Sequence, residues 1–143
     1  MSITALKIVI DTNILIAIIG KKSPFRWIFD CMIQGKIVLC VSDEILWEYQ
    51  EILAQKNGIE VAENVINFLT ISPFTEKITL FYHFHLIAAD EEDNKFVDCA
   101  IASNALCLVS NDNHFNVLKT IDFPKVNLLN LNDFETMYKT LLT

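Results

Sequence analysis

Leu6-Lys7-Ile8-Val9-Ile10-Asp11-Thr12-Asn13 is an apolar run suited to a buried strand that stops on a carboxylate followed by two small hydrogen-bonding residues. A charge at such a place needs compensation. In an open α/β sheet the C-terminal ends of strands border the crevice where ligand sites form, so Asp11 can face that crevice while its strand stays in the core. Further runs of the same kind follow at Ile37 to Val41, Leu106 to Ser110 and Val126 to Leu129, and the stretch from Glu76 to Phe84 reads as a strand or an extended connection. Between them lie helical patterns. They are expected from Ile14 to Ile19, opened by Asn13 and closed by Gly20, from Pro24 to Gln34, from a Ser42 cap to Lys56, and from Val61 to Leu69. Another follows an acidic loop at Ala88 to Lys95, and two more run from His114 to Thr120 and from Asp133 to Leu142. Helices alternating with short apolar strands describe an α/β fold with a mainly parallel sheet wrapped by helices on both sides.

The chain has 143 residues, the size of one ordinary domain, so residues 1–143 are expected to form a single unit. Its apolar runs fall short of the ~20 residues of a spanning helix, and the N-terminus shows neither the basic start nor the cleavage pattern of a signal peptide. These features predict a cytoplasmic protein with no membrane association. Cys31, Cys40, Cys99 and Cys107 are scattered in apolar surroundings and read as buried free thiols. His83 and His85 form an isolated pair in an aromatic stretch, and no histidine stands at metal-ligand spacing. The formal net charge is -7, with Arg26 the only arginine, which is awkward for a binder of nucleic acid. It is also what a centre built from carboxylates produces before its cations bind.

Asp11 ends the first strand, Asp112 lies just past the Leu106 to Ser110 strand, and Asp93 opens the helix leading into that strand. Strand C-termini and helix N-termini share one edge of a parallel sheet, so these groups can converge. Glu48 lies about one and a half turns into its helix and can reach back to the same edge. Gathered carboxylates repel one another, and a divalent cation is the usual remedy. Oxygen ligands without thiols or imidazoles favour one or two ions of Mg²⁺ or Mn²⁺, whose commonest chemistry is phosphoryl transfer.

Ile10-Asp11-Thr12-Asn13-Ile14-Leu15, Ser42-x-x-Ile45-x-x-Glu48, Asp93-Asn94-Lys95-Phe96-Val97-Asp98-x-Ala100 and Val109-Ser110-Asn111-Asp112 resemble, in order and spacing, the motifs of PIN domains, most closely the VapC-like toxin components. The resemblance covers residues 6 to 130. It implies a three-layer α/β/α sandwich and a metal-dependent endoribonuclease, often the toxin of a toxin-antitoxin pair and commonly a homodimer. By position, Asp11, Glu48, Asp93 and Asp112 match the family's metal-binding catalytic acids. Asp98 stands where related sequences carry a second acid, so Asp93 and Asp98 both remain candidates, with Asp93 ahead. Thr12 or Asn13 match the residues that hold the first acid, with Asn94 and Ser110 as supporting neighbours. The Ser110-Asn111 pair departs from the Thr followed by Gly or Arg that is common there. Lys21, Lys22 and Arg26, with Lys95 beside the acids, are the cations available to engage RNA phosphates. The competing expectation is a non-catalytic protein of the same fold that acts through a protein partner such as an antitoxin, with Phe25, Trp27, Phe29 and Trp47 as anchors.

Overall fold

Why the sheet runs where it does follows from its most apolar residues. In the computed structural model, which describes residues 5–88 and 90–143, β1 (Leu6–Ile10) lies at the centre, with Ile8, Val9 and Ile10 fully buried. Ala89, part of the expected acidic loop, lies outside the described residues. β1 pairs in parallel with β2 (Ile37–Val41) on one side and β4 (Cys107–Val109) on the other. β3 (Thr75–Lys77) and β5 (Leu128–Leu129) form the edges, giving the order β3-β2-β1-β4-β5. The connections step outward from β1 to β3 and then cross to β4, so the direction of winding reverses between β1 and β4. That reversal is where an open parallel sheet leaves a crevice beyond its strand ends.

Among the described residues six α-helices cover the two faces: α1 (Thr12–Ile19), α2 (Arg26–Gln34), α3 (Asp43–Asn57), α4 (Ile59–Ile71), α5 (Asn94–Ser103) and α6 (Leu131–Leu142). The result is the three-layer sandwich. Tyr49, Phe96, Phe115 and Phe134 are the bulkiest fully buried side chains and sit where helices meet the sheet. All four cysteines are buried and free. Among the described residues no helix is long and apolar enough to cross a membrane.

Several boundaries differ from the sequence reading, each for a local reason. α1 starts at Thr12 because Asp11 itself caps it, accepting from the Ile14 amide at 3.0 Å, so Asn13 lies inside the helix rather than opening it. α2 starts at Arg26, two residues after Pro24, because the Ser23 hydroxyl takes the Phe25 amide into a turn. Gly35 closes α2 at φ 80°, and a Cβ there would meet the Phe74 ring at 2.7 Å, so glycine suits this position on both counts. Of the two readings of Glu76 to Phe84, a strand or an extended connection, only the start pairs as β3 and the rest is a connection, because β2 ends at Val41 and the Ile78 amide takes its carbonyl. Residues 113–120 form a 3₁₀ helix instead of an α-helix, entered through a tight turn in which Asp112 accepts from the His114 amide.

Candidate metal centre

Asp11 is held before any ligand arrives. Its amide continues the ladder to the Val109 carbonyl at 3.2 Å, one oxygen caps α1, and the other accepts from the Ser110 hydroxyl. The same hydroxyl accepts from the Asp112 amide at 3.0 Å, so one buried serine sets the spacing of two acids from adjacent strand ends. Burial raises the Asp11 carboxyl above its ordinary range; the bonds from Ser110 and Ile14 oppose this, and the charges of Asp112 and Glu48 add to it.

Glu48 reaches the same edge from α3. Ser42 caps that helix, accepting from the Ile45 amide at 3.3 Å, and the buried Tyr49 hydroxyl donates to the Ile10 carbonyl at 2.6 Å, fixing the helix against the end of β1. One Glu48 oxygen accepts from the Thr12 hydroxyl and the other meets Lys95 Nζ at 2.8 Å. Thr12 therefore holds Glu48, not Asp11, and the exposed Asn13 holds neither among the described hydrogen bonds.

The third group gathers at the start of α5 and after β4. His114 Nδ1 stands 3.3 Å from Asp93 Oδ2, 3.6 Å from Asp112 Oδ1 and 3.8 Å from Asp90 Oδ2. Asp90, Asp93 and His114 offer ligand atoms within 4.8 Å of one another. Burial, with the charges of Asp90 and Asp112, pushes the Asp93 carboxyl up to about 6, against the opposing pull of His114. Asp112 links the two halves, because its charge acts on both Asp11 and Asp93. Negative charge is only partly compensated at this edge, by Lys95 at Glu48 and His114 at Asp93, and the donor set, carboxylates with one imidazole, fits a divalent cation.

Asp98 does not join this group. It lies one turn further along α5, only 2% exposed, where it accepts from the Phe84 amide at 3.0 Å and pairs with His83 at 3.2 Å. These bonds anchor the loop before α5. Asn94 does the same, bonding both the amide and the carbonyl of Ile87 at 2.9 Å. Lys95 is likewise unavailable to phosphate: its side chain is 7% exposed and clamped between Glu48 and Glu92. Burial alone would lower its pKa, but its bonds and charge interactions with those two glutamates outweigh this and raise it. Arg26 is committed to Asp30 at 3.0 Å, to the Ile19 carbonyl and to the Phe29 ring. Lys21 shares with it an apolar groove between α2 and α4, and Lys22 is exposed. His85 pairs with Glu91 at 3.4 Å.

Asp90 and His114 are the site groups that the sequence reading missed. Their only signal was Asp112-x-His114 and Asp90-x-x-Asp93, spacings that turns adopt without any ligand.

Comparison with known proteins bears on this geometry. The family profile described as PIN domain matches residues 7–114. Among solved structures, VapBC2 from Rickettsia felis bound to a DNA fragment from its promoter is similar with a TM-score of 0.60 at 22% identity, covering 87% of this chain and 98% of that one. DNA-bound VapBC from Salmonella typhimurium gives a TM-score of 0.54 at 16% identity, covering 87% and 98%. The PIN domain endonuclease Utp24 gives 0.50 at 16%, covering 87% and 84%. Such distant likenesses speak for the fold alone. No curated protein sequence matches the chain.

Proposed function

Because the chain belongs to the PIN domain family, whose profile spans residues 7–114, we propose that it is a divalent-metal-dependent endoribonuclease and the toxin of a toxin-antitoxin pair. On this reading residues 1–143 act as one nuclease domain in the cytoplasm. The observation that carries the proposal is the meeting of Asp11, Glu48, Asp93 and Asp112, from four separate elements, at the winding reversal between β1 and β4. The nuclease reading agrees with the description of Utp24, which shares the fold, as an endonuclease, and the antitoxin partner with the VapBC assemblies in which this fold also occurs.

Asp90 and Asp93, with His114 beside them, would hold one Mg²⁺ or Mn²⁺, and Asp112, Asp11 and Glu48 stand at the same edge for a second. A bound ion supplies Lewis acidity and neutralises charge developing on phosphate. The protein's own part is positional. Ser110 and the start of α1 fix Asp11, and Thr12 and Lys95 fix Glu48, so the carboxylates are set before RNA arrives. Water attacks phosphorus in line, a site carboxylate takes its proton, and the 3′-oxygen leaves with the electron pair of the broken P–O bond and takes up a proton from solvent, giving 5′-phosphate and 3′-hydroxyl ends.

Asp11→Asn removes charge and almost no volume. With single-stranded RNA and MnCl₂, cleavage should fall to background while the circular dichroism spectrum stays unchanged. Undiminished cleavage by this variant would overturn the assignment; wild-type protein that binds no divalent ion and cleaves nothing would favour the partner-binding reading.

A further inference from the structure

Oxygen ligands alone were expected at this centre, yet an imidazole points into it. His114 is half-exposed, so an ion can reach it, and its Nδ1 faces oxygens of three carboxylates at 3.3, 3.6 and 3.8 Å. Asp90, Asp93 and His114 place ligand atoms within 4.8 Å of one another; neighbouring ligands about 2.1 Å from a small divalent ion stand roughly 3 Å apart, so the His114 separations from Asp93 and Asp90 must contract by about 0.3 and 0.8 Å to share one ion. The ring is also held in place. Its own amide donates to Asp112 at 2.9 Å, and the next residue, Phe115, is fully buried edge-on against Phe96 with centroids 6.4 Å apart. Phe96 belongs to the first turn of α5, three residues after Asp93, so aromatic packing ties the imidazole and the acid to each other.

We propose that His114 Nδ1 is a metal ligand, which makes the centre a mixed nitrogen and oxygen site that selects Mn²⁺ over Mg²⁺. Both ions take carboxylate oxygens, but Mg²⁺ gives up its waters reluctantly and favours hard oxygen donors, whereas Mn²⁺, a softer first-row transition ion, also accepts an imidazole nitrogen. A nitrogen in the sphere therefore adds affinity for Mn²⁺ and little for Mg²⁺. The inference rests on the metal-nuclease reading and concerns which ion that same site takes.

The test is calorimetric titration of the metal-free protein with MnCl₂ and with MgCl₂, in wild type, His114→Ala, His114→Gln and Asp93→Asn, together with pulsed electron paramagnetic resonance of bound Mn²⁺ for coupling to imidazole nitrogen. Wild type should bind Mn²⁺ more tightly than Mg²⁺ and show the nitrogen coupling. Both His114 variants should lose Mn²⁺ affinity by at least about tenfold, the scale on which even outer-shell partners matter, and should lose the coupling while Mg²⁺ affinity stays within about twofold. Asp93→Asn should weaken both ions. Binding of both ions with an unchanged Mn²⁺ to Mg²⁺ ratio in the His114 variants, and no nitrogen coupling in wild type, would mean that His114 only pairs with the acids; this overturns the proposal and leaves the metal-nuclease reading standing. Failure of wild type to bind either ion would overturn both.

Discussion

Asp93 shows what burial, and after it the charges of neighbouring acids, do to one carboxyl. Raised from 3.8 to about 6, it stays protonated in the folded chain at pH values where the unfolded chain has already ionised it. Native protein then binds more protons than unfolded protein across that window, so the stability of the metal-free chain falls as pH rises from 3.8 to about 6, and the whole penalty persists above it. Asp11 shifts in the same direction. The groups facing Asp93 are Asp90 and Asp112, which deepen the effect, and His114, which opposes it. Urea midpoints of the metal-free protein at pH 4.5 and 7 should show this fall, and Asp93→Asn should flatten it. A divalent ion should restore more stability at pH 7 than at pH 4.5, because its ligands must first lose their protons. At this scale the sequence was legible for Asp11 and Asp112, whose strand-end positions follow from the apolar runs before them. Asp93 and Asp98 were not separable from spacing, because five residues along one helix can place two acids toward different neighbours and only packing shows which one meets the crevice.

Glu48 depends on a whole element being in register. Ser42 starts α3, and the Tyr49 hydroxyl bonds the carboxyl end of β1, so the residue between them and next to Tyr49 is delivered to the site edge. Tyr49→Phe keeps the ring and deletes that bond, leaving the buried Ile10 carbonyl without its tyrosine donor. The expected cost is about 1–2 kcal/mol in urea denaturation, with RNA cleavage lowered through a less well-fixed Glu48. Cleavage equal to wild type in a variant destabilised by this amount would show that α3 is positioned without Tyr49. Helix existence and order were legible because caps and 3.6-residue periodicity are local signals. The choice between strand and extended connection at Glu76 to Phe84 was not, because whether an extended segment becomes a strand depends on the partner beside it, and β2 stops offering one after Val41.

At the scale of the molecule, the net charge of -7 limits how RNA can be held. Lys95 and Arg26 are committed inside the protein, so Lys21 and Lys22 remain from the expected set for phosphate contacts. Two contacts to a single strand correspond to a slope of log binding constant against log salt of about −1.4, shallow for a nuclease. Fluorescence anisotropy of Asp11→Asn with labelled single-stranded RNA between 50 and 200 mM KCl reads this directly, and a slope several times steeper would mean that cations elsewhere on the surface carry the binding. The sequence by itself determined the class of fold and the sheet edge at which acids collect, because apolar periodicity and strand-end carboxylates are written along the chain. Only the tertiary structure decided which groups meet there. It set Asp98 aside against the loop at His83 and Phe84, turned Lys95 inward to Glu48, and brought His114 onto Asp90, Asp93 and Asp112. The physical reason is that ligand sets are formed by side chains distant in sequence, and their convergence is set by how α5 and the turn after β4 pack, which no local pattern encodes.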